Sequence, residues 1–464
     1  MYGRTHRIHL IGIGGAGMSG IAEVLLTMGY QVSGSDLKST DVTDRIVQLG
    51  GRVFIGHAKS NVEGAQLVVG STAVREDNAE MIAARAAGVP VIARAEMLAE
   101  LMRMKYGVAV GGAHGKTTTT SLIATVLARG GLDPTIVVGG RLRALGSNAR
   151  LGHGQFLVAE ADESDGSFLR LSPAVAVVTN IDREHLEHYA GMEEIREAFV
   201  QFASRVPFYG VAVLCVDDPE VRRILPSVSK RTLLYGCCPE AEIRGADVTL
   251  LPEGSRFRVL AQGLDLGELE LKIPGRHNVL NALAAVAVGV ELEVGFGHIR
   301  EALAGFHGVT RRFETRGETG GVRVVDDYAH HPTEIQATLG AARGLQRRVL
   351  VLFQPHRYTR TQALAEEFGA SFGEAARVWV LDVYPAGEPP LPGISGMTVV
   401  ESARRQGARH VEHAADPASA VAAVVAEARP GDLVLTLGAG DVWKLGDQVL
   451  AALGRPAVRV GGGR

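Results

Sequence analysis

Gly112-Ala113-His114-Gly115-Lys116-Thr117-Thr118-Thr119-Thr120 follows the apolar run Val108–Val110 and opens a helical pattern, Thr118–Arg129. A strand that turns through glycines into a helix leaves a row of backbone N–H groups around a concavity, which suits polyphosphate. Lys116 is placed to reach β- and γ-phosphates, and Thr117 to ligate Mg²⁺. The strict G-x-x-x-x-G-K-[ST] spacing fails at one position, because residue 110 is Val. The shorter G-x-x-G-K-T-T form remains, so Gly112, His114, Gly115, Lys116, Thr117 and Thr118 are read as an ATP-binding loop.

Upstream, a second glycine turn, Gly12-Ile13-Gly14-Gly15-Ala16-Gly17, sits between the strand candidate Arg7–Ile13 and the helix candidate Ser19–Met28. Asp36 closes the next strand candidate, Gln31–Ser35, about 20 residues on, the usual place for an acid that binds a ribose hydroxyl. This turn expects a diphosphate ligand and does not by itself choose between NAD and a UDP-sugar. Val53–Ile55, Leu67–Val69 and Val89–Ile92 read as strands and Asn78–Ala87 as a helix, a βαβ rhythm that predicts a parallel sheet.

Downstream, Phe156–Ala159 and Val175–Thr179 are strand candidates. The first ends in Glu160-Ala161-Asp162-Glu163-Ser164-Asp165, a carboxylate cluster placed to complete a Mg²⁺ shell. The second runs into Asp182-Arg183-Glu184-His185, where His185 is a candidate for a second metal. Residues 211–275 have weak helical periodicity and are expected to contain an antiparallel portion. Asn278–Val290 reads as a helix of small residues. A further unit begins near Glu314, with strands at Arg323–Asp326, Arg348–Phe353, Val378–Val383 and Leu433–Leu437.

The 464 residues suggest about three domains. The 48 basic and 51 acidic residues leave a net charge of −3, so no basic field points to nucleic acid. Three cysteines form no disulfide framework and fit no zinc spacing, which matches a reducing cytoplasm. No secretory leader pattern and no apolar run of membrane length is found, so no membrane partner is expected.

Taken together, these segments resemble the Mur ligase family, the amide-forming enzymes of peptidoglycan precursor synthesis. The first glycine turn, GGAHGKTTTT (111–120), VAEADESDGSF (158–168), TNIDREHLEHY (179–189), PGRHNVLNALAA (274–285), GVTRRFE (308–314), DDYAHHPTE (326–334) and FQPHRYTR (353–360) follow the family's order and spacing over nearly the whole chain. The resemblance implies an α/β fold in three domains. Residues 1–106 would be a UDP-sugar-binding Rossmann-like domain, 107–313 a central P-loop ATPase domain, and 314–464 a C-terminal Rossmann-like domain that binds the amino acid and closes on the site. It implies UDP-N-acetylmuramate and L-alanine as substrates, ATP and Mg²⁺ as cofactors, and a monomer or homodimer.

It also implies roles. Gly14, Gly17, Met18, Ser19, Asp36, His57, Ser71 and Thr72 would hold the UDP-sugar. Lys116 would bind the γ-phosphate, Thr117 and Glu160 one Mg²⁺, and His185 a second. His277, Asn278 and Asn281 would lie near the adenine and Arg312 on the phosphates. Tyr328, His330, His356, Arg357 and Arg360 would surround the amino acid, and His330 is a candidate for the base that takes the amine proton or for a group that orients the amine. Arg357 and Arg360, three apart, would share a helix face and clamp the carboxylate. Two departures from the family stand out. Ala113 replaces the usual Thr, with little expected effect on a loop that works through its backbone. No lysine occurs between Lys116 and Lys230, so the carbamylated lysine of several sister ligases is not expected. A preformed tripeptide as the amine, a nicotinamide oxidoreductase and an ATP-switched binding protein are the alternative readings.

Overall fold

The computed structural model describes residues 6–71, 74–142, 147–185 and 188–454. Two compact units are present. The first takes the chain to Val248 with Arg256–Leu271 and Asn278–Val309; the second takes Thr249–Ser255, Lys272–His277 and the chain from Thr310.

The first unit contains a five-stranded parallel sheet in the order Arg52–Ile55, Gln31–Asp36, Arg7–Ile11, Leu67–Gly70, Val91–Ala93. Strand order reverses at Arg7–Ile11, which opens a crevice at the carboxyl ends of the strands. The first glycine turn lies there and leads into the helix Ala16–Thr27. Gly12, at φ +77°, occupies a backbone region that residues with a Cβ rarely adopt.

The same unit carries most of a ten-stranded sheet. Tyr106–Gly111 lies at its centre, parallel to Val175–Val178 on one side and Phe156–Glu160 on the other. The acidic segment after Glu160 and the Thr179–His185 segment therefore leave the sheet on either side of the phosphate loop. The buried residues of these short strands are all apolar, as suits a sheet covered on both faces. In the helix Lys116–Arg129 four threonines follow Lys116, all of them buried. β-Branched residues are modest helix formers, so burial rather than propensity holds its first turn.

The expectation of antiparallel structure after residue 211 fails for its first strands. Val211–Cys215, Thr232–Gly236 and Ile243–Leu251 continue the sheet in parallel. A parallel pair needs a crossover, and the helix Pro219–Ile224 supplies one. It is only 6 residues long, too short for a visible period, and is capped by Asp218, whose side chain accepts from the N–H groups of Glu220 and Val221.

The second unit holds six strands in the order Glu314–Thr319, Val322–Asp327, Leu433–Leu437, Val349–Phe353, Arg377–Val380, Val411–His413. The first pair is antiparallel and the rest are parallel. Asp327, Leu437 and Phe353 stand side by side across the register. The segments beginning at Tyr328 and Gln354 thus leave the same sheet end, two strand spacings apart, or about 10 Å.

Candidate active site

The phosphate loop is held by side chains from three other segments. Gly112 (φ +135°) and Gly115 (φ +80°) allow the turn. A Cβ at Gly112 would come within 2.0 Å of the Thr179 hydroxyl oxygen, and one at Gly115 within 2.7 Å of Asn281 Oδ1. His114 is pinned on both sides. Its N–H donates to Asn180 Oδ1 (2.8 Å), and its carbonyl accepts from Asn180 Nδ2 (3.0 Å) and Thr179 Oγ1 (2.7 Å). Its Nε2 lies 2.8 Å from Asp182 Oδ2. Thr119 Oγ1 donates to Asn281 Oδ1 (3.1 Å), and Asn281 Nδ2 to Asn278 Oδ1 (3.1 Å). Asn278 and Asn281 therefore brace the loop from the helix Arg276–Glu291. Thr179 and Asn180 belong to the TNIDREHLEHY motif, whose spacing does not show that they brace the loop.

Lys116 folds back over this loop. Its Nζ donates to the carbonyls of Gly112 (2.6 Å) and Ala113 (3.2 Å) and to Glu163 Oε1 (2.7 Å). Burial works against its charge, but Glu163 and Asp162 outweigh it and raise its pKa. Glu163 is 2% exposed, and its Oε2 is buried with no hydrogen-bond partner. His185 Nε2 stands 3.3 Å from Glu163 Oε1 and 3.5 Å from Glu184 Oε2. His185 adopts φ +57°, a strained conformation for a non-glycine residue, and strain of this kind collects at functional sites. Two carboxylates and an imidazole whose ligand atoms lie within 4.8 Å of one another are a donor set that fits a divalent cation. Thr117 is buried on the first turn of the helix, and Glu160 is half-buried at the end of its strand. Glu163 and Glu184 were not singled out from the sequence, because a run of acids does not show which of them turns inward.

In the five-stranded sheet, Asp36 Oδ2 accepts from Gly14 N–H (2.8 Å) and its Oδ1 from Leu37 N–H (2.8 Å). The acid is tied to the glycine turn. Met18 and Ser19 are buried and Ser71 is half-buried; Thr72 lies outside the described residues. A Cβ at Gly17 would meet Arg94 Nη1 at 2.7 Å, so this guanidinium covers the turn. Arg94 Nη2 also donates to Asp162 Oδ2 (3.2 Å). It thereby links the first glycine turn to the acidic segment, and nothing in its sequence context announced it. His57 contacts Ser35 and the fully buried Glu80, another residue the sequence reading missed.

In the second unit, Asp327 accepts from the N–H groups of Phe313 (2.7 Å) and Ala329 (2.8 Å). Burial raises its pKa to about 6 against the opposing charge of Arg312. Arg311 and Arg312 lie 5.0 and 5.1 Å from the Tyr328 ring, and Arg312 pairs with Glu334 at 3.8 Å. His277 packs beside Gly275, where a Cβ would come within 2.5 Å of its ring. His330 Nδ1 lies 3.0 Å from the Tyr328 carbonyl, which can only accept. Nδ1 therefore carries the proton, and Nε2 of the neutral ring is a lone pair. The His330 and His356 rings are 5.7 Å apart, and His356 stacks on Tyr384 at 5.6 Å. Burial, reinforced by His330, Arg360 and Arg357, lowers the His356 pKa to about 3.

The shared helix face expected for Arg357 and Arg360 is not formed. Arg357 precedes the helix Tyr358–Ala363, at φ +69°. Only Arg360 is helical, and its Nη1 lies 3.4 Å from His356 Nδ1. Glu388 explains the break. It accepts from the N–H and hydroxyl of Thr359 and stands 3.9 Å from Arg357 Nε, holding the loop in this shape.

Three family models match the chain in succession: "Mur ligase family, catalytic domain" over residues 7–106, "Mur ligase middle domain" over 110–289 and "Mur ligase, glutamate ligase domain" over 311–440. The chain belongs to the Mur ligase family. Among curated relatives, the UDP-N-acetylmuramate–L-alanine ligase of Geobacter sp. (strain M21) is 55% identical over 455 residues, which is 98% of this chain and 99% of that one. The UDP-N-acetylmuramate-alanine ligase MurC of Thermotoga maritima has a similar solved structure. Its TM-score is 0.81 at 29% identity, covering 96% of this chain and 98% of that one. A murein peptide ligase from Psychrobacter arcticus shares the fold at a TM-score of 0.74 and 21% identity, covering 97% and 99%.

Proposed function

We propose that this protein is an ATP-dependent ligase that joins the lactyl carboxylate of UDP-N-acetylmuramate to the amine of L-alanine, in peptidoglycan precursor synthesis. The observation that carries this is the phosphate loop with Lys116 poised over it beside Glu163, Glu184 and His185. The identity along the whole length of curated L-alanine ligases supports the substrate pair. A nicotinamide oxidoreductase leaves this loop and its acids without a role, and tripeptide addition is favoured by neither the identity nor the fold score.

A carboxylate does not acylate an amine at neutral pH. In the proposed reaction the lactyl carboxylate attacks the γ-phosphorus of ATP, the bond to the β-phosphate oxygen breaks, and ADP leaves as the acyl phosphate forms. The amine then attacks the acyl carbon and phosphate departs. The loop N–H groups and Lys116 offset charge on the transferring phosphoryl oxygens; Lys116 exchanges its contact with Glu163 for one with phosphate. Mg²⁺, when bound, supplies further charge neutralisation on the phosphates. Glu163, Glu184 and His185 are proposed to hold one Mg²⁺, and Thr117 and Glu160, by family resemblance, another. Arg94, with Gly14 and Gly17, is proposed for the UDP diphosphate. His330 Nε2 accepts the amine proton, and Arg357 and Arg360 hold the amino-acid carboxylate.

The functional domains are proposed at 1–106, 107–313 and 314–464, and the protein is proposed to act in the cytoplasm. Among the described residues no helix is long and apolar enough to cross a membrane. The test is phosphate release from ATP with UDP-N-acetylmuramate and each of the twenty amino acids or a preformed tripeptide, with and without Mg²⁺. The reading expects release that requires Mg²⁺ and is strongest with L-alanine. A protein that releases phosphate only with a tripeptide, or none at all, would overturn it.

A further inference from the structure

Beneath the first glycine turn, Glu80 is fully buried and surrounded by donors. Ser35 Oγ donates to its Oε2 (2.5 Å), Asn61 Nδ2 to its Oε1 (2.5 Å), and Ala58 N–H to Oε1 (3.3 Å). His9, also fully buried, has Nε2 3.5 Å from Oε2, and its Nδ1 contacts Ser33 Oγ (2.9 Å). An ionised carboxylate only accepts. Burial alone would keep Glu80 neutral, but the His9 ring beside it and the hydrogen bonds from Ser35 and Asn61 outweigh it and bring its pKa down to about 2.

This fixes the hydrogens further out. The one hydroxyl hydrogen of Ser35 is committed to Glu80, so Ser35 Oγ offers His57 only lone pairs. His57 Nδ1 lies 3.0 Å from Ser35 Oγ and 3.3 Å from Glu80 Oε2, both acceptors in this arrangement. Nδ1 must carry the ring proton. Nε2 of the neutral ring is then a lone pair, and it takes part in no hydrogen bond or ion pair with the described residues. The side chain is 21% exposed and sits just beyond the strand Arg52–Ile55, where Gly56 N–H donates to the Asp36 carbonyl (2.8 Å). That is the carboxyl end of the sheet, beside the glycine turn.

We propose that Glu80, acting through Ser35, is a positioning residue that locks His57 in the Nδ1–H tautomer, so that its Nε2 accepts an N–H or O–H of the nucleotide part of the UDP-sugar. The donor is the imide N–H of the base or a ribose hydroxyl. The idea rests on the proposed function only for the identity of that ligand.

The tautomer itself is read on the wild-type protein by ¹⁵N NMR of labelled histidines, with the His57 resonance assigned by loss in His57→Gln. A protonated Nδ1 and bare Nε2 are expected; the reverse pattern overturns the proposal whether or not any variant folds. Glu80→Gln keeps the shape but places an amide N–H against Ser35. The Ser35 hydroxyl then turns to His57 Nδ1, and the ring proton moves to Nε2. Two donors now face each other at the ligand, and KM for UDP-N-acetylmuramate should rise at least about tenfold, with kcat and the KM for ATP within about twofold. An unchanged KM, or an equal loss in all three constants, overturns it. Binding of UDP, N3-methyl-UDP and 2′-deoxy-UDP separates the two donors: the analogue that lacks the donor should lose to the wild type and lose nothing further in Glu80→Gln. If instead the wild type fails to bind UDP-N-acetylmuramate, the functional reading falls while the NMR result stands.

Discussion

Replacing Lys116 with Met should damage folding and chemistry separately, and a second substitution should pull the two effects apart. Lys116 makes three contacts through one ammonium: two loop carbonyls and Glu163, which is 2% exposed. Removing one partner of a buried pair leaves the other charge uncompensated and costs about 3–5 kcal/mol. At roughly 2 °C per kcal/mol for a unit of this size, Tm should fall by about 6–10 °C. Loss of a charge contact to a transferring phosphoryl group should lower kcat by about 10²–10³. Adding Glu163→Gln to Lys116→Met removes the stranded charge, so most of the lost Tm should return while kcat stays low. Scanning calorimetry and a phosphate-release assay on both single variants and the double variant make the comparison. If Glu163→Gln restores no stability, the pair is not what holds this region. If Lys116→Met turns over within about tenfold of wild type, Lys116 does not act on phosphate.

Replacing Arg357 with Lys should raise KM for L-alanine by about tenfold or more, since an ammonium loses the fork geometry, and leave KM for ATP unchanged; equal effects on both would count against the clamp. Arg94→Ala should raise KM for the UDP-sugar and lower affinity for UDP, read by calorimetric titration, and an unchanged UDP affinity would remove Arg94 from the diphosphate site. Glu80 titrates near 2 in the fold against an ordinary 4.5. A lowered pKa means the unfolded chain binds the extra proton, so this stabilisation is present above about pH 4.5 and is lost as pH falls through 2. At about 1.4 kcal/mol per pH unit it is worth about 3 kcal/mol, and Glu80→Gln should flatten the acid limb of the stability curve by about that amount in denaturant titrations between pH 5 and 2. Chelation of divalent cations should abolish phosphate release, and His185→Ala should raise the Mg²⁺ concentration needed for half-maximal rate.

Much of this protein could be read from neighbouring residues in the chain. Each glycine turn is a local event, decided by residues within a few positions of one another, and so is the alternation of short apolar runs with helical patterns. The segments carrying Lys116, His185, His330 and Arg357 were legible for the same reason. The parallel course of the strands after Val211 was not, because its crossover helix is too short to show a period. The split between Arg357 and Arg360 depends on Glu388, about 30 residues away, and no spacing rule contains it.

Residue order alone determined which peptide segments could turn around phosphate and which could form buried strands, because backbone conformation and amphipathic pattern are short-range properties. Only the tertiary structure decided which acid of the Glu160–Asp165 run meets Lys116, that Arg94 lies over Gly17, and that Glu80 settles where the proton of His57 resides. Those outcomes depend on which side chains share one small volume after residues tens of positions apart are packed together. There, desolvation makes every unmatched donor or charge costly.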